Sequence, residues 1–196
     1  AKDNVWKVII QKKIRNQSLL LKKRGFEVES QMLEEYAGEV LPGDSTNREG
    51  HAAKVYFNCI LPDGVTRRGG GFINGCLNYG YAVLLSAINR EIVASGYVTQ
   101  IGVWHDNEFN EFNLGSDLLE PLRTIVDETA LNIEPGDAAF KRKMANVLNY
   151  SVTFGEKSTT LDVAIRQYVK SVLTALEVND AEEAVFPEEA EILYEQ

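Results

Sequence analysis

The sequence predicts a mainly α-helical, multi-helix globular domain with a central buried helix and little or no sheet. Three observations predict this class: hydrophobic residues make up 44% of the 196 residues, Leu, Ala, Glu and Lys dominate long segments with few prolines between them, and apolar residues recur at helical spacing. A chain of this length buries roughly 70% of its unfolded surface. One helical domain over residues 1–176 is therefore expected, followed by an acidic, mobile C-terminal tail over 177–196.

The first part of the chain predicts three helices. Residues 3–24 place apolar side chains near helical spacing with basic residues between them, and Gly25 ends this amphipathic helix. A second helix is predicted over 26–37. Residues 44–47 (DSTN) are all good N-caps, so a third helix begins at Arg48 and Glu49 lies in its first turn. An acid is electrostatically favoured at that position.

The rest of the chain predicts a glycine-rich loop, the central helix and several further helices. The loop contains Gly69, Gly70 and Gly71, which have no regular preference. The central helix carries small residues that permit close approach of a neighbour. The elements are expected in this order: a loop over 61–71, the central helix over 74–93, a connection over 97–113 that carries His105, a helix over 114–120 continued past Pro121 over 122–132, and further helices within 137–149 and 158–178.

The net charge of −9 is unevenly distributed. Residues 177–196 hold eight acids and no base, which leaves the preceding residues near neutrality. Residues 1–70 carry 12 bases against nine acids, and residues 101–127 carry six acids against one base. A basic lobe beside an acidic pocket suits metal-assisted phosphodiester chemistry, because phosphates attract cations and cations attract carboxylates. The bases of the first helix fit either a solvated face or a surface for the DNA backbone.

Other features exclude some classes of protein. Cys59 and Cys76 are well separated, so a disulfide framework is not expected and a reducing compartment is. No apolar run approaches the ~20 residues of a membrane span, and the first residues carry no signal-peptide pattern. We therefore expect a cytoplasmic protein without a membrane partner. The chain opens on Ala1 with no initiator Met, which suggests a fragment of a longer protein.

A small set of residues has the chemistry of a divalent-metal site. His105 precedes Glu120 by fifteen residues, and Asp117 lies one helical turn before Glu120 on the same face. Each residue also has an ordinary explanation: Glu49 as a first-turn acid, His105 as a hydrogen-bonded loop or core histidine, and the two acids as an exposed face balanced by Arg123. The spacing by itself does not decide between these interpretations.

Three ordered segments resemble a known family. STNREGHAAKVYFN (45–58), INGCLNYGYAVLLSAINREIVASG (73–96) and IGVWHDNEFNEFNLGSDLLEPLRTIVD (101–127) are similar to the C-terminal helical domain of the CRISPR adaptation integrase, the metal-dependent nuclease that inserts new spacers into CRISPR arrays. Type II versions are the most similar, and the resemblance covers residue 2 to about residue 176, which would be the helical catalytic domain. It implies Glu49, His105 and Glu120 as ligands of Mg²⁺ or Mn²⁺, with Asp117 as a second catalytic acid beside them.

The resemblance also implies a reaction and partners. A DNA 3′-hydroxyl would attack a phosphodiester at the edge of a CRISPR repeat, and the partners would be double-stranded DNA (new spacer and repeat), a second copy in the full-length protein, and a small CRISPR adaptation protein. The candidate DNA contacts are Arg48, Lys54 and Arg123 near the site, Lys12, Lys13, Arg15, Lys22 and Lys23 along the duplex, and Asn78 and Tyr79, which with Tyr81 belong to the family's central-helix motif.

Two departures from the family accompany the resemblance. The family's N-terminal β-rich domain is missing, and Gly69, Gly70 and Gly71 stand where relatives have charged or polar residues. Two other functions therefore remain open: a truncated, non-catalytic helical scaffold that binds a protein partner through its acidic tail, and a DNA-binding domain without chemistry. Stabilisation by Mn²⁺ would discriminate the enzyme from the scaffold, and DNA binding indifferent to a chelator would indicate the third.

Overall fold

The computed structural model of the protein describes residues 1–189, and residues 190–196 of the acidic segment lie outside the described range. Within that range eight α-helices and three short strands occur, with 3₁₀ turns at several junctions. The elements are α1 (Lys2–Lys23), α2 (Glu27–Gly38), α3 (Arg48–Ile60), α4 (Phe72–Ala94), α5 (Asn113–Leu119), α6 (Arg123–Leu131), α7 (Phe140–Ala145), β1 (Ser151–Phe154), β2 (Lys157–Thr160), α8 (Leu161–Val178) and β3 (Glu188–Glu189). The mainly helical prediction is confirmed.

Helix α1 forms one side of the core. Its apolar stripe, from Val5 through Ile9 to Ile14, is completely buried, and it packs against α2, α3 and α6. Gly25 adopts φ +87° directly after the helix, a left-handed conformation that suits glycine and turns the chain into α2. The first three helices therefore begin and end close to their predicted positions.

Helix α4 is the predicted central buried helix, and α5, α6, α7 and α8 pack around it. Gly80 of α4 faces Val126 of α6 and Met144 of α7. A Cβ atom added there would stand 2.5 Å from Val126 Cγ1 and 2.9 Å from Met144 Sδ, so a side chain would force these neighbours apart. The small residues predicted to permit close packing therefore serve that purpose at this position.

The C-terminal part differs from the prediction in its local elements. The helix expected over 158–178 begins only at Leu161, because residues 157–160 form a strand that pairs antiparallel with residues 151–154. The β-branched residues of both strands favour extended structure, and Gly155 (φ +61°) makes the turn between them. The helix expected over 137–149 is a short α7 followed by a 3₁₀ turn over Asn146–Asn149.

The described part of the acidic segment lies against the domain. Strand β3 pairs with β1 through the Glu188 and Thr153 register, and Lys12 Nζ lies 2.5 Å from Glu188 Oε2. The backbone N–H of Val185 donates to Ser171 Oγ of α8 at 3.0 Å. The boundary at residue 177 stays a prediction, and α8 itself continues to Val178. None of the helices within residues 1–189 combines the length and apolarity of a membrane span.

Candidate active site

Glu49 is held at the start of α3 by a neighbouring acid. The Asp44 carboxylate accepts the N–H groups of Arg48 at 2.8 Å and of Glu49 at 3.0 Å, satisfying two of the free donors of the helix N-terminus. Of the four predicted capping residues, Asp44 supplies the side-chain acceptor, whereas Asn47 occupies the N-cap position in a left-handed conformation without a side-chain bond. Because Asp44 caps the helix, the Glu49 carboxylate is free to bond to other groups.

Asp117 organises the connection that carries His105. Its fully buried carboxylate accepts backbone N–H groups from Val103 at 2.6 Å, Trp104 at 3.0 Å and His105 at 3.1 Å. Its Oδ1 also lies 2.5 Å from His105 Nδ1. A Cβ atom on Gly102 would collide with this carboxylate and with the His105 carbonyl, so the glycine is what allows the loop to wrap so closely.

The same carboxylate fixes the chemistry of His105. The hydrogen bond to Asp117 raises the pKa of the imidazole, with smaller contributions from Glu120 and Glu49, while partial burial acts against it. Because Nδ1 is engaged by Asp117, Nε2 is the ring nitrogen left to bind a ligand. The edge of Trp6 packs against the ring at a centroid distance of 6.0 Å. A carboxylate behind a histidine is the usual support of a metal-binding imidazole.

Glu120 is buried between two cations. Lys13 Nζ lies 2.5 Å from its Oε2, and Arg123 donates from Nε at 2.9 Å and from Nη2 at 2.8 Å to its two oxygens. Burial would raise the pKa of this carboxyl, but Lys13 and Arg123 lower it from 4.5 to about 2. Glu120 is therefore ionised at neutral pH although only 4% of it is exposed.

Lys13 joins Glu120 to Glu49. Its Nζ lies 2.6 Å from Glu49 Oε1 as well as 2.5 Å from Glu120 Oε2, and the residue is only 7% exposed. Burial lowers the pKa of the ammonium, but Glu120 and Glu49 reverse this and raise it. Two carboxylates, one from α3 and one from the 3₁₀ turn between α5 and α6, therefore converge on one positive charge.

A cavity of about 440 Å³ lies beside Lys13, Glu49 and Glu120. Its far wall contains Asp127, a buried acid of α6 that accepts hydrogen bonds from Tyr56 at 2.6 Å and from Tyr81. The guanidinium groups of Arg67 and Arg123 lie 5.2 and 4.6 Å from the Tyr81 ring centroid. The cavity is lined by Lys13, Gln17, Glu49, Phe57, Arg67, Arg68, Tyr81, Glu120, Arg123 and Asp127.

The candidate ligands thus form two neighbouring groups. Glu49 and Glu120 share Lys13, and His105 is bonded to Asp117. Within residues 1–189, no three His, Cys or acidic side chains are placed closely enough to hold a metal ion without rearrangement. The Asp117 and Glu120 side chains, predicted on one helix face, have separate partners. Arg123 balances Glu120 as expected, but the expectation of an exposed face is wrong, because Glu120 and Asp117 are both buried and Asp117 bonds to the connection that carries His105.

Some candidate DNA contacts have hydrogen-bond or ion-pair partners within the protein, and others are exposed. Their role in DNA binding stays a prediction. Arg48 pairs with Glu39 at 2.9 Å, and Lys23 pairs with Glu128 at 3.4 Å. Arg67, which sequence reasoning did not select, donates to Asn78 Oδ1 at 2.8 Å. Lys12, Lys13 and Arg123 have the partners described above, and Tyr79 is half-buried beside Phe140. The exposed members are Arg15, Lys22, Lys23, Lys54 and Asn78.

Sequence reasoning missed Asp127 and Gln17, which line the cavity, and Tyr56, which donates to Asp127. Asp127 lies seven residues after Glu120, two helical turns along, inside an apolar segment. An acidic residue at a position that faces the core was the sequence feature that could have identified Asp127. Gln17 lies four residues after Lys13, on the same face of α1.

Comparison with known proteins gives consistent results. The family model for CRISPR associated protein Cas1 matches residues 4–134. The CRISPR-associated endonuclease Cas1 of Neisseria meningitidis serogroup C (strain 8013) is 31% identical over 194 residues, which cover 95% of this chain and 64% of that protein. CRISPR-associated endonuclease Cas1 1 of Francisella tularensis subsp. novicida (strain U112) is 31% identical over 100 residues, covering 46% of this chain and 31% of that protein. The chain thus spans less than two thirds of these relatives.

Solved structures share the fold. A casposase bound to integration product matches with a TM-score of 0.74 and 23% identity, covering 93% of this chain and 67% of that one. TM1797, a Cas1 protein from Thermotoga maritima, matches with a TM-score of 0.74 and 20% identity, covering 91% and 66%. A Cas6-RT-Cas1–Cas2 complex matches with a TM-score of 0.75 and 20% identity over 93% of this chain and 24% of that one.

Proposed function

Because the chain belongs to the CRISPR-associated Cas1 family, we propose that it is the catalytic domain of a divalent-metal-dependent DNA endonuclease and integrase that acts in CRISPR spacer acquisition. The observation that carries this proposal is the convergence of Glu49 and Glu120 on one cation position, Lys13 Nζ. The two acids belong to separate family-like motifs, Glu49 at the start of α3 and Glu120 in the 3₁₀ turn between α5 and α6. His105 belongs to the same electrostatic neighbourhood, since both acids raise its pKa.

The residues present fit a hard divalent cation. Glu49 and Glu120 would offer carboxylate oxygens, and His105 would offer Nε2, a donor set that suits Mg²⁺ or Mn²⁺. A bound metal would supply Lewis acidity, polarising the phosphoryl oxygen and lowering the pKa of the attacking hydroxyl. Asp117 would keep the imidazole ring in its orientation through Nδ1, and Arg123 would keep the Glu120 carboxylate in place through its two donors.

The reaction needs no external energy source. The 3′-oxygen of an incoming DNA strand would form a bond to phosphorus at the edge of a repeat, and the bond from that phosphorus to its original 3′-oxygen would break. The attacking hydroxyl loses a proton and the departing 3′-oxygen gains one, so one phosphodiester replaces another. Arg67 and Arg68, on the cavity wall, would attract the phosphate because guanidinium groups match phosphate geometry.

The proposed partners are new spacer DNA, repeat DNA, a second copy of the full-length protein and a small adaptation protein. The solved relatives include a casposase with its integration product and Cas1 within a complex with Cas2. Since the chain spans 64% of the Neisseria relative, assays of activity should use the full-length protein that contains it.

The proposal is tested by replacing His105 and Glu120 together with alanine and measuring Mg²⁺- or Mn²⁺-dependent cleavage and strand transfer. We expect both activities to be lost. The matched control replaces His51 and Glu108, an exposed histidine and an exposed acid, and should retain them. Undiminished strand transfer in the first variant would exclude the proposed metal site.

The alternatives are a helical scaffold and a DNA-binding domain without chemistry. A metal ion that binds only the folded state stabilises it by mass action, by about 2.7 kcal/mol when the free metal concentration is a hundred times Kd. A rise in melting temperature with Mn²⁺, reversed by a chelator, is expected for the enzyme. Its absence, together with DNA binding unaffected by the chelator, would favour the alternatives.

A further inference from the structure

Helix α1 contributes a lysine and a glutamine to the site, and neither has a role in the chemistry described so far. Lys13 and Gln17 lie one helical turn apart and both line the cavity. The Lys13 ammonium bridges Glu49 and Glu120. Gln17 is 2% exposed, and its Oε1 is buried without a hydrogen-bond partner.

We propose that Lys13 is a tethered counter-ion that exchanges with the metal. In the metal-free protein it holds Glu49 and Glu120 at one point, and when a divalent cation binds it swings to Gln17 Oε1. This inference rests on the proposed function, because it assumes that Glu49 and Glu120 are metal ligands.

Geometry requires the exchange. Lys13 Nζ lies 2.5 and 2.6 Å from the two carboxylate oxygens, which is close to the distance of roughly 2.0–2.6 Å between Mg²⁺ or Ca²⁺ and its oxygen ligands. An ammonium and a metal ion cannot both occupy the point between these oxygens, because they would overlap and repel. The lysine must therefore leave at least one carboxylate whenever both carboxylates bind one metal ion.

Electrostatics explains why a lysine is needed there. Glu120 is almost fully buried, and a second carboxylate beside it would repel it strongly in a medium of low dielectric constant. Arg123 neutralises Glu120 from one side, whereas the ion pair of Glu49 among the described residues is with Lys13. Lys13 supplies the positive charge that the two acids share, so it preorganises the pair at the cost of competing with the metal.

Gln17 gives the displaced ammonium a destination. A buried amide oxygen without a hydrogen-bond partner is unfavourable, because the group has lost water and gained nothing in its place, and a second conformation of Lys13 would satisfy it. A lysine at i can reach a side chain at i+4 of the same helix, and its four-carbon stem has the freedom to do so. The α1 backbone need not move, since Ile9, Ile10 and Ile14 anchor it in the core.

The first test replaces Lys13 with methionine, which keeps the volume of the stem and removes the charge. Mn²⁺ affinity is measured from the free-ion EPR signal. We expect the K13M variant to bind Mn²⁺ on the order of tenfold more tightly, because a competing unit charge next to both ligands is gone. The matched control, Lys12→Met, removes a charge from the adjacent residue, whose partner is Glu188, and should leave the affinity unchanged.

A second measurement works with the unaltered protein. A buried, ion-paired ammonium exchanges its protons slowly and gives a ¹⁵N NMR signal, so titration with Mg²⁺ should shift the Lys13 signal without unfolding the protein.

A third test replaces Gln17 with leucine, which removes the acceptor for the displaced ammonium. Gln17→Leu should weaken Mn²⁺ binding severalfold when Lys13 is present but not in K13M, since the two residues act through one exchange.

The outcomes separate the two proposals. Suppose that the unaltered protein binds Mn²⁺ and that K13M binds Mn²⁺ no more tightly than the unaltered protein does. The exchange is then wrong and the proposed function stands. If K13M does not fold, Lys13→Gln takes its place in this comparison. A Lys13 ammonium signal unmoved by saturating Mg²⁺ also overturns the exchange. If neither the unaltered protein nor the Lys13 variants bind metal, and strand transfer survives loss of His105 and Glu120, the proposed function fails with it.

Discussion

Asp127 makes the stability of the domain depend on pH in an unusual direction. The carboxyl is 1% exposed, and burial raises its pKa from 3.8 to about 6, although the hydrogen bonds from Tyr56 and Tyr81 act against this rise. Between those two pH values the folded state holds a proton on Asp127 that the unfolded state has lost. Asp127 therefore contributes stability below pH 3.8 that is lost as the pH rises to about 6.

The size of the effect follows from the shift. A displacement from 3.8 to about 6 corresponds to about 3 kcal/mol at 1.36 kcal/mol for each pH unit. The Asp127→Asn variant keeps the shape of the side chain and does not titrate. Its free energy of unfolding should therefore gain about 3 kcal/mol relative to the unaltered protein over the full titration, of which about 2 kcal/mol appears between pH 4 and pH 6.5.

Urea denaturation at half-unit pH steps measures this difference. Glu120, whose pKa is lowered to about 2, contributes stability that is present above 4.5 and lost towards acid pH, so its titration lies mainly below the window. Both proteins share that contribution, and the comparison removes it. Two stability curves that run parallel from pH 4 to pH 6.5 would refute the assignment of a raised pKa to Asp127.

Two further predictions concern the supports of the site and the core. Asp117→Asn should weaken Mn²⁺ binding and strand transfer about 10- to 100-fold, because the amide cannot match the charge that orients His105; metal titration and strand-transfer assays measure this. Gly80→Ala should destabilise the fold by about 1–3 kcal/mol in urea, because the added methyl group overlaps neighbours on α6 and α7.

Each of these variants has a control. Asp106→Asn changes an exposed acid of the same connection and should leave metal binding intact; equal losses in both variants would mean that Asp117 acts only through general charge. Gly75→Ala adds a methyl group to the same helix where nothing lies within 4 Å. If Gly75→Ala destabilises the protein as much as Gly80→Ala, close packing is not the reason for the glycine.

The long helices could be predicted from the sequence because their signals are local. The apolar period of α1 and α4 and the glycines after them mark both helices. The β1–β2 hairpin was missed because its strands are four residues long, and alternation over such a length is hard to distinguish from helical spacing. The two-residue strand β3 depends on pairing with β1, which no local pattern reports.

The candidate ligands could be identified from family-like motifs in the sequence. The side chains that pair with them could not. Lys13 stands 36 residues before Glu49 and far from Glu120 in the sequence, so only the packing of α1 against α3 and the α5–α6 junction reveals that it joins them. From the sequence it was one base in an amphipathic helix, and a DNA contact was a natural interpretation. Asp127 was hidden because an acid among apolar residues carries no local signal of its tyrosine partners.

The exposed face expected for Asp117 and Glu120 is wrong, since both residues are buried, but the ordinary explanations of His105 and Glu49 are compatible with the functional proposal. His105 is a hydrogen-bonded loop histidine, and because its bond to Asp117 engages Nδ1, Nε2 is left for a ligand. Glu120 is balanced by Arg123, and that pairing keeps it ionised while buried. Glu49 lies in a helix first turn, but Asp44 caps that turn and leaves the Glu49 carboxylate to Lys13. These bonds hold His105 and Glu120 in place, and Lys13, which lies between Glu49 and Glu120, is the group that a metal ion shared by these two acids would have to displace.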